Sequence, residues 1–222
     1  MTITAGFRRE GFVVLAADQL VCAPSSGRTI WRVFRPKIFM HPTLPLALAM
    51  NGLREVGRGM PVSTLLEGLL REFAPDSLSF CEVATMLVRE LLPRVRELRE
   101  NDMSRNVERE FLRVALAVGV VGSHGAELGT VDCHETSESE TMGQVVRAPD
   151  RVLRHYDRDD AWKGRGRDSL AEVCAHATER VQAGIDEDAR LGEHDRMTGG
   201  NVDVVVVDAA GARRYDATPP RG

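Results

Sequence analysis

Thr2-Ile3-Thr4-Ala5-Gly6-Phe7, the polar turn Arg8-Arg9-Glu10-Gly11, and Phe12-Val13-Val14-Leu15-Ala16-Ala17-Asp18 stand at the head of the chain. The first and third pieces read as two strands around a turn. Phe12 to Ala17 is apolar without a break, as expected of a strand buried on both faces. Such a strand needs a layer of structure on each side, and the rest of the sequence supplies candidates. Residues 23–29 are loop-like. Ile30 to Phe34 and Ile38 to Met40 read as strands around Pro36-Lys37. Leu44 to Met50 is another apolar run, and Asn51-Gly52 ends it with a turn signal.

Two helices are expected next. Val62 to Phe73 carries Val62, Leu65, Leu66, Leu69, Leu70 and Phe73 on one stripe, and Ser79 to Glu100 repeats the pattern, with Pro93 as a kink point. Leu112 to Val121 and Glu127 to Cys133 read as strands around Gly122-Ser123-His124-Gly125. His134 to Thr141 reads as an exposed loop. A short strand near Gly143 to Val146 precedes an expected helix from Pro149 to Tyr156. Asp168 to Arg190 is a long amphipathic helix, and Asn201 to Asp208 a last strong strand. Runs of strands alternating with helix pairs do not suit a doubly wound parallel sheet. They suit an α+β fold of two stacked antiparallel sheets with helix pairs outside. With no repeat, low-complexity stretch or linker, residues 1–222 are expected to form one domain.

Composition sets the function classes. The chain has 222 residues, of which 43% are hydrophobic and 28% charged, enough for a sizeable core. A formal net charge of −4 argues against a dedicated nucleic-acid binder. The longest apolar run, Val114 to Val121, is too short to cross a bilayer. Arg8, Arg9 and Glu10 interrupt any apolar leader, so a cytoplasmic location without a signal peptide is expected. Cys22, Cys81, Cys133 and Cys174 lie far apart, which indicates neither a disulfide framework nor a zinc site. Of the 29 basic residues only Lys37 and Lys163 are lysine; the rest are arginine. Where arginine serves for positive charge almost everywhere, a retained lysine points to something arginine cannot do, namely lose its proton near neutral pH.

The head of the chain also carries chemistry. A small residue after Met1 permits removal of the initiator, which would leave Thr2 first. An N-terminal threonine holds its hydroxyl and its own α-amine within one residue. That amine titrates near 7.7–8.0 in model compounds, so it can act as general base for the hydroxyl.

Thr2 to Asp18 resembles the opening of proteasome β-type subunits, in particular the peptidase subunit of the bacterial two-component ATP-dependent protease. The resemblance rests on Thr2 followed sixteen residues later by Asp18 at the end of an Ala-Ala-Asp strand, on Lys37-Ile38-Phe39 followed by Asn51-Gly52, and on Asp195-Arg196-Met197-Thr198-Gly199-Gly200 entering an apolar strand. It runs in order along essentially the whole chain. It implies a four-layer αββα sandwich of the N-terminal nucleophile hydrolase type. It further implies Thr2 as nucleophile, Lys37 beside its hydroxyl, Asp18 holding Lys37, and backbone N–H near Gly52 as the oxyanion site. Asp195 and Thr198 would steady the α-amine. It implies a threonine endopeptidase acting on peptides or unfolded proteins, assembled as a homo-oligomeric ring around an inner chamber, which an unfolding ATPase would feed. No cofactor, metal or membrane is implied.

The chain departs from that pattern in three places. The segment between Asp18 and Lys37 is longer, Thr198 stands where serine is usual, and Val146-Arg147-Ala148-Pro149-Asp150 lacks the serine of the family's Gly-Ser-Gly turn. The last departure keeps two alternatives open: a catalytically degenerate subunit with a structural or assembly role, and an amidase for small substrates. Elsewhere, Gly122-Ser123-His124-Gly125 is not a nucleophile elbow. Adjacent residues of a strand face opposite ways, which argues against metal binding by Cys133-His134-Glu135. The arginines between Arg147 and Arg167 alternate with aspartates and read as a solvated face.

Overall fold

The computed structural model describes residues 2–24, 30–52, 55–56, 60–74, 78–102, 113–135, 141–148, 151–154, 168–190 and 198–216. In chain order the strands are β1 (Thr4–Arg9), β2 (Phe12–Asp18), β3 (Leu20–Pro24), β4 (Ile30–Phe34), β5 (Ile38–Met40), β6 (Leu46–Gly52), β7 (Glu55–Val56) and β8 (Met60–Pro61). Helices α1 (Val62–Leu70) and α2 (Phe80–Asp102) follow. Then come β9 (Arg113–Gly122), β10 (Gly125–Glu135), β11 (Thr141–Ala148), β12 (Arg151–Arg154), α3 (Leu170–Ala189), β13 (Val202–Asp208) and β14 (Gly211–Arg214). The class is mixed α+β with antiparallel sheets. One five-stranded sheet runs β12-β1-β2-β13-β14 and the other β11-β10-β9-β6-β5, while β3-β4 and β7-β8 form two-stranded ribbons.

Alternation along the strands decides what lies on each side. In β2, Val13, Leu15 and Ala17 join a cluster shared with β6, β9, β10 and β13, between the sheets. Val14 and Ala16 turn the other way, onto Val173, Cys174, Ala177, Val181 and Ile185 of α3. In β6, Leu46, Leu48 and Met50 pack with α1 and α2, and Ala47 and Ala49 face the opposite sheet. In β6 the large side chains thus point at the helices and the small ones at the neighbouring sheet. The sheets consequently come close, and a Cβ added at Gly119 would lie 2.8 Å from Cγ1 of Val13.

Helices α2 and α3 start where the sequence provides partners for their free N–H groups. α3 has a complete capping box of Ser169 and Glu172. At α2 the Phe80 N–H donates to Oε2 of buried Glu127, 2.9 Å away on β10. None of the described helices is long and apolar enough to cross a membrane.

The helix expected from Pro149 to Tyr156 is not formed. Arg151–Arg154 is a strand, paired antiparallel with β1 from Phe7↔Arg151 to Thr4↔Arg154. The outer edge of β1 needs partners for its N–H and C=O groups, and this pairing overrides a weak local helical pattern. Among the described residues the β1-β2 sheet therefore carries one helix, α3, instead of the expected pair. The β10 and β11 strands also extend to Glu135 and from Thr141, into the stretch read as a loop, and Leu20 to Pro24 is a strand.

The inter-sheet contact and the exposed helix face predict opposite outcomes for two glycines. Gly119→Val should cost about 1–3 kcal/mol by overpacking. Gly68→Ala, with open space around its Cβ in α1, should add about 0.5–1 kcal/mol. Denaturant unfolding of the two variants measures both.

Candidate functional site

Asp18 ends β2 and is fully buried. A carboxylate there must be satisfied on all sides, and three donors converge on it. Its Oδ1 accepts from the Ile3 N–H at 2.9 Å and from Nζ of Lys37 at 2.9 Å; its Oδ2 accepts from the Gly199 N–H at 3.2 Å. A return bond runs from the Asp18 N–H to the Ile3 carbonyl, at 3.3 Å. One side chain thereby ties the residue after Thr2, the lysine before β5 and the glycine turn before β13 into one knot.

Lys37 is 2% exposed, an unusual depth for an ammonium group. Its carbonyl accepts from the Met50 N–H at 2.8 Å, which fixes the start of β5 against β6. The next residue, Asn51, lies in the row of Ala47 and Ala49 that faces the other sheet. From there its Nδ2 donates to the Thr2 carbonyl at 3.0 Å. Ile3, Ala5 and Phe7 pack on the α3 side, so alternation puts Thr2 on the inter-sheet side, where it is buried.

Gly52 follows Asn51 with φ of 105°, a conformation L side chains rarely adopt. A Cβ there would run into the Arg113 carbonyl. The glycine is thus required by its own backbone conformation and by the close approach of β9.

Thr198 is fully buried. Both its N–H and its hydroxyl donate to Oδ2 of Asp188, at 2.6 and 2.7 Å. The Gly199 carbonyl accepts from the N–H groups of Gln19 and Leu20, at 3.1 and 2.9 Å. The glycine turn is thus strapped to α3 on one side and to the end of β2 on the other. Asp195 lies outside the described residues.

The structure therefore joins Lys37, the N–H of Ile3 next to Thr2, and the N–H of Gly199 next to Thr198 at Asp18, while Asn51, next to Gly52, holds the Thr2 carbonyl. It adds two residues that sequence reasoning did not assign. Asp188 stands on the buried face of α3, in series with Val181, Gly184 and Ile185; a carboxylate on an apolar stripe was the available signal. Asn51 stood in the sequence as half of a turn and as the neighbour of Gly52 in the resemblance, with no role of its own.

In the stretch lacking a serine, Ala148 is buried in the inter-sheet cluster. The Arg147 side chain pairs with Glu127 at 2.5 Å and lies 6.0 Å from the Phe80 ring centre. Pro149 and Asp150 lie outside the described residues. A cleft of about 890 Å³ opens beside the knot; Pro36 and Ile38, which flank Lys37, and Met50, which precedes Asn51, stand in its walls.

Among the described residues no group of three His, Cys, Asp or Glu side chains is placed to hold a metal. Cys133 turns into the helix-side cluster, and burial, reinforced by the Asp132 charge, pushes its thiol up to about 12. His134 turns to Asp132, which Arg113 grips through Nε at 2.9 and 3.0 Å.

No family model matches the chain, and no curated protein matches it.

Two outcomes follow from the burial of these groups. Asp18→Asn leaves the ammonium buried without its counter-charge, and Lys37→Met does the converse; each should cost about 3–5 kcal/mol. The double variant should lose clearly less than the two singles together, as a denaturant double-mutant cycle would show. Of the three thiols whose surroundings the structure describes, Cys81 is exposed, while burial raises Cys133 to about 12 and Cys174 to about 11. An alkylating reagent at neutral pH should therefore modify Cys81 in the folded protein and reach the other two only on unfolding.

Proposed function

We propose that this chain is a threonine-type peptidase of proteasome-like architecture, an N-terminal nucleophile hydrolase that uses Thr2 once Met1 has been removed. The observation that carries the reading is the buried Asp18 carboxylate, shared by the Ile3 N–H and the Lys37 ammonium. A buried ion pair is weak evidence for a stability role. Beside a residue able to serve as nucleophile, it is better read as a functional device. Two packed sheets with α1 and α2 against one and α3 against the other support reading the fold as the four-layer αββα sandwich of that class.

In this reading the α-amine of Thr2 takes the hydroxyl proton as the oxygen adds to a peptide carbonyl carbon. The charge that develops on the carbonyl oxygen meets backbone N–H near Gly52. The amine then gives its proton to the departing nitrogen, leaving an ester on Thr2. Water, deprotonated by the same amine, cleaves the ester and restores the hydroxyl. Lys37 contributes positive charge beside the reacting oxygen. Asp18 fixes where that charge sits and, through the Ile3 N–H, how the backbone leaves Thr2. Asn51 holds the Thr2 carbonyl from the other sheet, and Asp188 with Thr198 steadies the turn that meets Asp18.

The reading extends to a cytoplasmic homo-oligomeric ring, because an unselective nucleophile must be walled off from folded proteins. An unfolding ATPase would then deliver protein substrates, whereas short peptides would diffuse in. One observation favours the degenerate subunit instead: the stretch that would carry a serine beside the amine presents Arg147, committed to Glu127. The small-substrate amidase differs from the peptidase only in what fills the cleft.

Peptide turnover tests the reading. Thr2→Ala and Lys37→Arg should each lower kcat roughly 10²–10⁴-fold while the fold is retained. Unchanged turnover in either variant would reject the assigned roles, and a wild-type protein that cleaves no peptide would favour the degenerate subunit.

A further inference from the structure

The cleft beside the Lys37–Asp18 knot has an apolar floor and a basic rim. Val21, Val33, Ile38 and Met50 supply much of the floor. The charged residues in its walls are Arg35, Arg71, Arg214 and Glu67, three cations against one anion. Two of the cations are tied to the end of β2. The Arg35 N–H donates to the Gln19 carbonyl at 3.0 Å. The Gln19 amide donates to Oδ1 of Asp203 at 2.9 Å, and the same oxygen accepts from Arg214 at 2.7 Å. Gln19 directly follows Asp18, so the roots of both guanidinium groups are set relative to the proposed reaction centre. Arg214 is already neutralised by Asp203. Arg35 and Arg71 are exposed and, among the described residues, have no ion-pair partner. An apolar trough edged by two uncommitted guanidinium groups suits a ligand with an aliphatic stem and an anionic end, since arginine presents a planar fork to a carboxylate.

We propose that the cleft selects peptides with an acidic side chain in the segment that occupies it, Arg35 and Arg71 being the residues that set the preference. This rests on the peptidase reading and names its substrate class. The volume of about 890 Å³ is several times that of one side chain, so neighbouring residues of the peptide share the trough while the carboxylate lies at its rim. Glu67 is the opposing charge and keeps the rim from acting as a general anion trap.

The test separates binding from cleavage. Full-length Thr2→Ala protein is titrated with N-acetylated tetrapeptide amides that differ at one position, Glu, Gln, Leu or Lys, and binding is read by NMR shift changes. The Glu peptide should bind about fivefold or more tightly than its Gln isostere, the size of effect expected of one or two part-exposed charge contacts. The advantage should shrink as salt is raised. In Arg35→Glu/Arg71→Glu it should pass to the Lys peptide. Equal binding of the Glu and Gln peptides, a preference for Leu or Lys in the parent protein, no binding of any peptide, or a Glu preference indifferent to the charge reversal would overturn the inference. Turnover of the same peptides by the wild-type chain reads the peptidase proposal separately. Binding of the Glu peptide without cleavage would sustain the cleft assignment and count against the peptidase, whereas cleavage with a Leu preference would do the reverse.

Discussion

One buried carboxylate organises this molecule. Asp18 sits where β2 ends, and there the start of the chain, the lysine before β5 and the glycine turn before β13 share a bonding partner. Placing an ammonium and a carboxylate out of contact with water carries a desolvation penalty that hydrophobic residues of the same volume would avoid. The surrounding sequence is built to make that arrangement tolerable. Alanines and valines line the inter-sheet space, so the two sheets approach closely. Backbone N–H groups of Ile3 and Gly199 complete the coordination of the carboxylate. The pair looks expensive as a stability element and reasonable as a chemical one.

The rest of the fold can be read as support for that geometry. β6 brings Met50 to the Lys37 carbonyl and Asn51 to the Thr2 carbonyl, so one strand of the second sheet holds two residues of the site. α3 reaches the site through Asp188, which fixes Thr198 and hence Gly199. The β13 strand pairs along all of β2, from Val202↔Asp18 to Asp208↔Phe12, and so sets the height of the glycine turn against Asp18. These contacts come from five separate segments, and their partners are far apart in sequence.

Much of this was legible in the residues themselves. The unbroken apolar run before Asp18 announced a strand covered on both faces, and it is covered by α3 and by the second sheet. Lys37 stood out because the chain otherwise writes positive charge as arginine, and it is the buried cation. Local pattern failed where tertiary pairing decides the outcome. Arg151–Arg154 looks helical in isolation and becomes a strand because the edge of β1 lies open beside it. At Gly52 the obstacle to a side chain is the Arg113 carbonyl, which no sequence pattern displays. Asn51 reads as a turn residue until the opposing sheet places Thr2 against it. Asp188 was visible as an acid on an apolar helix stripe, yet its partner Thr198 becomes apparent only once α3 is laid on the β1-β2 sheet.

The proposed chemistry requires residue 2 to be a nucleophile with a free amine. Mass spectrometry of the purified chain after exposure to a peptidyl epoxyketone, which needs both the hydroxyl and the amine of an N-terminal threonine, tests it most directly. The expected product is a chain that begins at Thr2 and carries one inhibitor, with fragment ions placing the added mass on that residue. A chain that keeps Met1 and gains no mass would contradict it.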